Sequence, residues 1–213
     1  HRDTFVRDNL PPRELWPELR FDLPELQFPA RYNASSLLDA AIANGFGDNA
    51  AILCKDGPWT YMKLLEGASR VARALTTKLG LVPGNRVLIH APNSPWAMVA
   101  WWGVIRAGGV VVATMPLLRR SELGVLIEKA NISHALVDDA LMSEVEAAGR
   151  ISSNLRCLVG FDDLEELVQS AESTFAPILT AADDPALIAF TSGTTGNPKG
   201  CVHFHRDVAA MAA

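Results

Sequence analysis

Cysteine is scarce in this 213-residue sequence: Cys54, Cys157 and Cys201 are odd in number, far apart and outside any CxxC or Cys/His ligand pattern. That excludes a disulfide framework and a zinc-type centre, and each reads as a reduced structural thiol. Clusters of Lys and Arg interleaved with aromatics are missing too, and the formal charge is only −5. Nucleic acid and anionic membrane surfaces are excluded as partners on that ground. A secretory leader is also lacking. Residues 1–29 hold five prolines together with Arg2, Asp3, Arg7 and Asp8, with no apolar centre, so a cytoplasmic location is the expectation. The tract at 96–118 carries Arg106 as its one charge, but Gly108, Gly109 and Pro116 divide it. Each piece is shorter than the roughly 20 residues of a membrane span, so a buried helix followed by a strand is expected. No internal repeat or low-complexity segment is present. No fixed cage of hard oxygen ligands is evident either, so no metal site is assigned. The acidic run Asp162, Asp163, Glu165 and Glu166 reads as the solvated start of a helix, where carboxylates favour the positive end of the dipole.

What is present is the composition of a folded globular chain, with 49% hydrophobic and 20% charged residues. Residues 1–30 read as a proline-punctuated strap whose Phe5, Trp16, Phe21, Leu26 and Phe28 pack on a body formed elsewhere. A short helix is expected over 36–44. Tyr61, Leu64, Leu65, Ala68, Val71, Ala72, Leu75 and Leu79 recur at helical spacing behind a Thr60 cap, giving a long amphipathic helix that ends at Gly80. Strands at 86–91, 109–114, 133–137 and 155–159 then alternate with helices at 95–107, 121–130, 139–149 and 162–172, and a last strand is expected at 186–190. Ser94 and Pro95 open the first of these helices, and Gly108 ends it. Continuously apolar strands separated by helices predict an α/β fold with doubly wound parallel sheet layers covered on both faces. The composition shift at 174–185 predicts a division into a first α/β subdomain at 31–175 and the start of a second at 176–213. His90 and His134 fall in buried-strand patterns and read as structural. Trp101 and Trp102 are adjacent on a helix, point about 100° apart and cannot form one ligand platform.

Beyond the last strand lies Thr191-Ser192-Gly193-Thr194-Thr195-Gly196-Asn197-Pro198-Lys199-Gly200. Glycines let backbone N–H groups approach an anion, hydroxyls donate further hydrogen bonds, and an ammonium neutralises charge. A polyphosphate uses all three. A surface turn rich in turn-forming residues has the same composition, so composition leaves both open. Placement after a buried parallel strand favours the ligand edge of the sheet. The order G-T-T-G-N-P-K-G is neither G-x-x-x-x-G-K-[ST] nor G-x-G-x-x-G, so neither common nucleotide loop applies.

FTSGTTGNPKG at 190–200 resembles the signature of the adenylate-forming enzymes, which include acyl-CoA synthetases, peptide-synthetase adenylation domains and luciferases. Thr60-Tyr61 with Leu64 is similar to that family's early T-Y-x-x-L element, and IRAGGVVVATMPLLRRSEL at 105–123 to its K-A-G-x-x-x-x-P-L segment. Arg106 stands where lysine is usual, and Thr114-Met115 precede Pro116. The opening DTFVRDNLPPRELWPEL and the stretch GCVHFHRD resemble aromatic-acid:CoA ligases within the family, with 2-aminobenzoate or benzoate as the implied acid.

The resemblance implies a two-step reaction with ATP, Mg²⁺ and coenzyme A. The acid attacks the α-phosphorus with loss of pyrophosphate, and the CoA thiolate then displaces AMP. It implies that Thr191, Ser192, Gly193, Thr194, Thr195 and Gly196 cradle the β- and γ-phosphates while Lys199 counters their charge. His205, with Arg206, stands where the family often places an active-site wall near the acyl or phosphate groups. The alternatives for His205 are a strand-end histidine meeting a backbone carbonyl, and His203 acting in its place. The adenine, ribose and CoA elements of the family find no match before Ala213, so the 213 residues alone are expected to be inactive and to self-associate through uncovered surface. An amino-acid-activating adenylation domain and a non-catalytic association module remain the competing readings.

Overall fold

Residues 1–191 and 197–212 are described by the structure, a computed structural model. The chain runs α1 (Phe5–Asp8), α2 (Ser36–Ala43), β1 (Ala50–Ile52), β2 (Trp59–Thr60), α3 (Tyr61–Thr77), β3 (Arg86–His90) and α4 (Pro95–Arg106). It continues through β4 (Val110–Thr114), α5 (Arg120–Lys129), β5 (Ile132–Val137), α6 (Met142–Gly149), β6 (Cys157–Gly160), α7 (Phe161–Gln169), β7 (Pro185–Thr191), β8 (Lys199–Phe204) and α8 (His205–Ala210). Local signals set the boundaries. The Thr60 hydroxyl accepts the Lys63 N–H at 3.1 Å, and the Ser94 hydroxyl accepts that of Ala97 at 3.1 Å, with Pro95 in the first turn of α4. Each cap satisfies an N–H that the helix itself leaves unpaired. Gly108 ends the α4 unit at φ +72°, where a side chain would be strained.

Among the described residues six strands form one sheet in the order β6-β5-β3-β4-β7-β8, while β1 and β2 pair separately. The pairs from β6 to β7 are parallel, and β8 is antiparallel to β7. Successive side chains of a strand point to opposite faces, so each strand feeds two cores. Val87, Ile89, Val111 and Leu136 join α3, α4 and α7 on one face. Leu88, Val110, Val112, Ala135 and Val137 join α5 and α6 on the other. Burial on both faces explains why these strands read as unbroken apolar runs. Helices α3 and α4 approach closely at Gly103, where an added Cβ would lie 2.6 Å from Val71.

One expectation differs in detail, and two features add to what the sequence implied. The helix expected at 139–149 opens as a 3₁₀ turn, Asp139–Leu141, because the Asp138 carboxylate accepts the Ala140 N–H. The division expected at 175/176 is not marked by a new sheet, since β7 pairs with β4 at Leu187 and Val111. The intervening loop is laid back along the first part of the chain: the Ile178 N–H donates to Arg106 O at 2.9 Å and the Tyr32 N–H to Thr180 O at 3.0 Å. Finally, β7 and β8 form a hairpin, because the short connection between them leaves no room for the crossover a parallel neighbour needs.

The strap does pack on the body. Val6 is buried in the core beside α5 and α6, Trp16 stacks on Phe204 at 5.7 Å, and Phe28 meets Tyr32 at 5.4 Å. Its charges are anchored as well: Asp3 accepts from buried Arg86 at 2.6 Å, and Arg7 pairs with Asp184 at 2.9 Å.

Candidate functional site

Sheet topology alone singles out one crevice. The chain leaves β4 toward β5, on the far side of β3, and leaves β7 in the opposite direction toward β8. Connections that diverge at the carboxyl ends of neighbouring parallel strands open a ligand-sized gap between them. A cavity of about 850 Å³ lies there. Thr114 and Met115 line it from the end of β4, Leu118, Ser121, Glu122 and Val125 from the approach to α5 and from α5 itself, and Phe190 and Thr191 from β7. Asn197 and Pro198 line it on the return toward β8. The wall is thus largely apolar, with hydroxyls and one carboxylate among it, as small-molecule sites usually are.

The motif expected to hold phosphate opens and closes at this cavity. Thr191 and Lys199 face each other across the hairpin, and the Thr191 hydroxyl donates to Lys199 O at 3.5 Å. Both residues are exposed. Lys129, in the last turn of α5, donates to Pro198 O at 2.6 Å and so ties the closing limb of the motif to the helix. Ser192, Gly193, Thr194, Thr195 and Gly196 lie outside the described residues.

His205 and Arg206 are not brought to this cavity. β8 runs antiparallel, so Phe204 stands opposite Pro185 at the start of β7 while Lys199 stands opposite Thr191 at its end. At about 3.3 Å per residue the hairpin separates His205 from Lys199 by roughly 20 Å. His205 is fully buried, and its Nδ1 accepts the Ala34 N–H at 3.2 Å while Nε2 has no partner among the described residues. Burial holds its pKa down at about 4, against the raising influence of Asp184; the N-terminal ammonium also lowers it. The Arg206 guanidinium lies over Phe21 of the strap at 4.7 Å. The structure holds this pair between the strap, the approach to α2 and the hairpin. His203 of β8 pairs with Leu187 of β7, and because His205 begins α8 the two histidines are not pleat neighbours on one strand.

Sequence reasoning passed over two groups that the fold places at the site. Thr114 ends a buried strand and lines the cavity, and its Oγ1 lies 2.8 Å from Nδ1 of fully buried His90. Lys129 carried no signal, because its partner is a backbone carbonyl 69 residues away. His134 is structural as expected: its Nε2 meets Leu79 O at 3.0 Å and its Nδ1 meets the Ser133 hydroxyl at 2.7 Å. No helix of the described residues is long and apolar enough to cross a membrane.

Known proteins place the chain in a family. The family model for AMP-binding enzymes matches residues 40–213. The benzoate–CoA ligase of Thauera aromatica is 29% identical over 191 residues, covering 87% of this chain and 36% of that protein. Gramicidin S synthase 2 of Brevibacillus brevis is 32% identical over 161 residues, covering 76% of this chain and 3% of that one. The crystal structure of the anthranilate CoA ligase AuaEII with anthranoyl-AMP superposes with a TM-score of 0.81 at 20% identity, over 86% of this chain and 36% of that chain, a likeness of fold. The chain spans about a third of the length of the CoA ligases it matches. A crevice at the divergence of β4 and β7, bordered by an ordered T-S-G-T-T-G-N-P-K-G motif, and a family match over residues 40–213 agree: this chain belongs to the AMP-binding enzyme family.

Proposed function

We propose that residues 1–213 form the ATP-phosphate-binding part of an acid:CoA ligase, which converts ATP to AMP and pyrophosphate by way of an acyl-adenylate. The observation that carries this reading is that Thr191, Asn197 and Pro198 of the motif line the crevice at the carboxyl end of β7, with Lys199 opposite Thr191 in the hairpin. Thr191 through Gly196 cradle the β- and γ-phosphates, and Lys199 neutralises charge on the departing pyrophosphate. Transfer at phosphorus gains mainly from placement and charge compensation, which are what a glycine-rich motif and an ammonium supply. Mg²⁺ accompanies the triphosphate in this reading and shares the neutralisation of its charge with Lys199. Coenzyme A is the second-step acceptor.

The acid is aromatic in this reading, with 2-aminobenzoate the first to test and benzoate the second. Support comes from the opening DTFVRDNLPPRELWPEL, from GCVHFHRD, and from the benzoate–CoA ligase relative. An amino-acid-activating domain is the second reading, favoured by the match to gramicidin S synthase 2. Acid-dependent pyrophosphate release separates the two, using a polypeptide that joins residues 1–213 to the rest of the length its relatives have. Release with benzoates and none with amino acids supports the ligase. Turnover with amino acids, or with medium-chain fatty acids alone, removes the aromatic assignment.

A further inference from the structure

His90 closes β3 and Thr114 closes β4, and the two are register partners in the sheet. His90 is fully buried, yet a buried strand end is filled more simply by an aliphatic side chain. Its Nδ1 is 2.8 Å from Thr114 Oγ1, while Nε2 meets no hydrogen-bonding group among the described residues. One nitrogen is thus engaged and the other is left unsatisfied, an arrangement that costs stability and calls for an explanation. Burial holds the ring neutral by lowering its pKa; Arg119 adds to that and Glu144 opposes it.

The hydroxyl completes the geometry. With Nδ1–H donating to Oγ1, the Thr114 hydroxyl hydrogen is free to turn, and its acceptor among the described residues is Ile89 O at a long 3.4 Å. A weakly held hydrogen polarised by an incoming hydrogen bond is a better donor to an anionic oxygen. Thr114 lines the cavity, and continuing the Val111–Leu187 register by three residues sets it beside Phe190, at the root of the phosphate motif.

Resting on the proposed function, we infer that Thr114 is a further binding residue of the site, donating its hydroxyl to a phosphate oxygen of bound Mg-ATP, and that His90 is the positioning residue that aims it. No proton is transferred. The imidazole keeps its Nδ1–H throughout, and only the direction of the Thr114 hydroxyl changes.

Mg-ATP titrated into the 213-residue chain, followed by NMR with ¹⁵N-labelled histidine, tests this. The wild type is expected to show His90 protonated on Nδ1, with its ring nitrogens shifting as Mg-ATP binds. Thr114→Val, nearly isosteric, is expected to weaken Mg-ATP about tenfold, the loss of one hydrogen bond to a charged group, and Thr114→Ser to restore it. His90→Leu is expected to weaken binding in the wild type and to have no effect in the Thr114→Val background. A His90 protonated on Nε2 and silent to Mg-ATP overturns the inference from the wild type alone, whether or not any variant folds. Unchanged affinity in Thr114→Val, with Lys199→Ala still weakening it, overturns the inference and leaves the proposed function standing. A wild type with no affinity for Mg-ATP sinks both.

Discussion

Asp39 holds the Arg106 guanidinium through two hydrogen bonds, at 2.7 and 2.9 Å, joining α2 to the last turn of α4. Arg106 also donates through Nε to Phe175 O, and its own carbonyl accepts the Ile178 N–H. One side chain thus pins the loop that returns the chain to β7. Arg106 stands where the family segment usually has lysine, and the fork geometry accounts for the difference: a single ammonium cannot serve a bidentate carboxylate and a carbonyl in one plane.

Arg106→Ala is expected to destabilise the chain by about 3 kcal/mol, because it leaves a carboxylate and a carbonyl without their donor. The half-exposed Asp39 keeps the loss from being larger. Arg106→Lys should recover about half of it. Urea unfolding followed by circular dichroism measures both, and a loss below about 0.5 kcal/mol for the alanine variant contradicts the assignment.

His205 gives stability a pH dependence of fixed sign. Its folded pKa of about 4 lies below the ordinary histidine value near 6.5, so the unfolded chain binds the proton first. The stability is complete above about pH 6.5, falls as pH drops toward 4 and levels off below, for a total of about 3 kcal/mol. His90 and His134, whose pKa values burial also lowers, act in the same direction. His205→Asn should flatten the slope between pH 6.5 and 4, as read from urea midpoints. A slope equal to wild type removes His205 as its main source.

Ser94→Ala removes the acceptor for the Ala97 N–H at the start of α4. A loss of about 1 kcal/mol is expected, with no change in affinity for Mg-ATP. Thermal unfolding and titration on the same sample check the two halves of that statement.

Much of the fold could be read from the residues. The Thr60 and Ser94 caps, the Gly108 stop and the doubly apolar strands are local signals, each with its physical cause within a few positions in the chain. The β8 strand was not read from the residues, because its exposed first half, Lys199-Gly200-Cys201, lacks the apolar run that marks the buried strands. The position of His205 was hidden as well: the GCVHFHRD resemblance carries a role, while the antiparallel pairing of β8 sets the residue at the opposite end of the hairpin from Lys199. Thr114 was hidden for a related reason, since its relation to His90 spans 24 residues and appears only once β3 and β4 are side by side.

The 213-residue chain itself is expected to bind Mg-ATP weakly and to turn nothing over. Turnover draws on orientation of nucleotide and acid, worth roughly 7–11 kcal/mol, beyond what phosphate contacts alone supply. Exposed Met115, Leu117 and Val125 beside the crevice favour self-association, which sedimentation at increasing concentration will register. Acid-dependent pyrophosphate release from this chain, lost in Lys199→Ala, contradicts the expectation.

The most direct test is the single-turnover rate of adenylate formation by Lys199→Ala, in a polypeptide that joins residues 1–213 to the remaining length of its relatives. A contact strengthened in the transition state is worth about 2–4 kcal/mol, so the rate should fall roughly 30- to 1,000-fold while affinity for the acid changes little. A rate within a factor of two of wild type would contradict the role given to Lys199, and with it the assignment of the β7–β8 hairpin as the seat of the ATP phosphates.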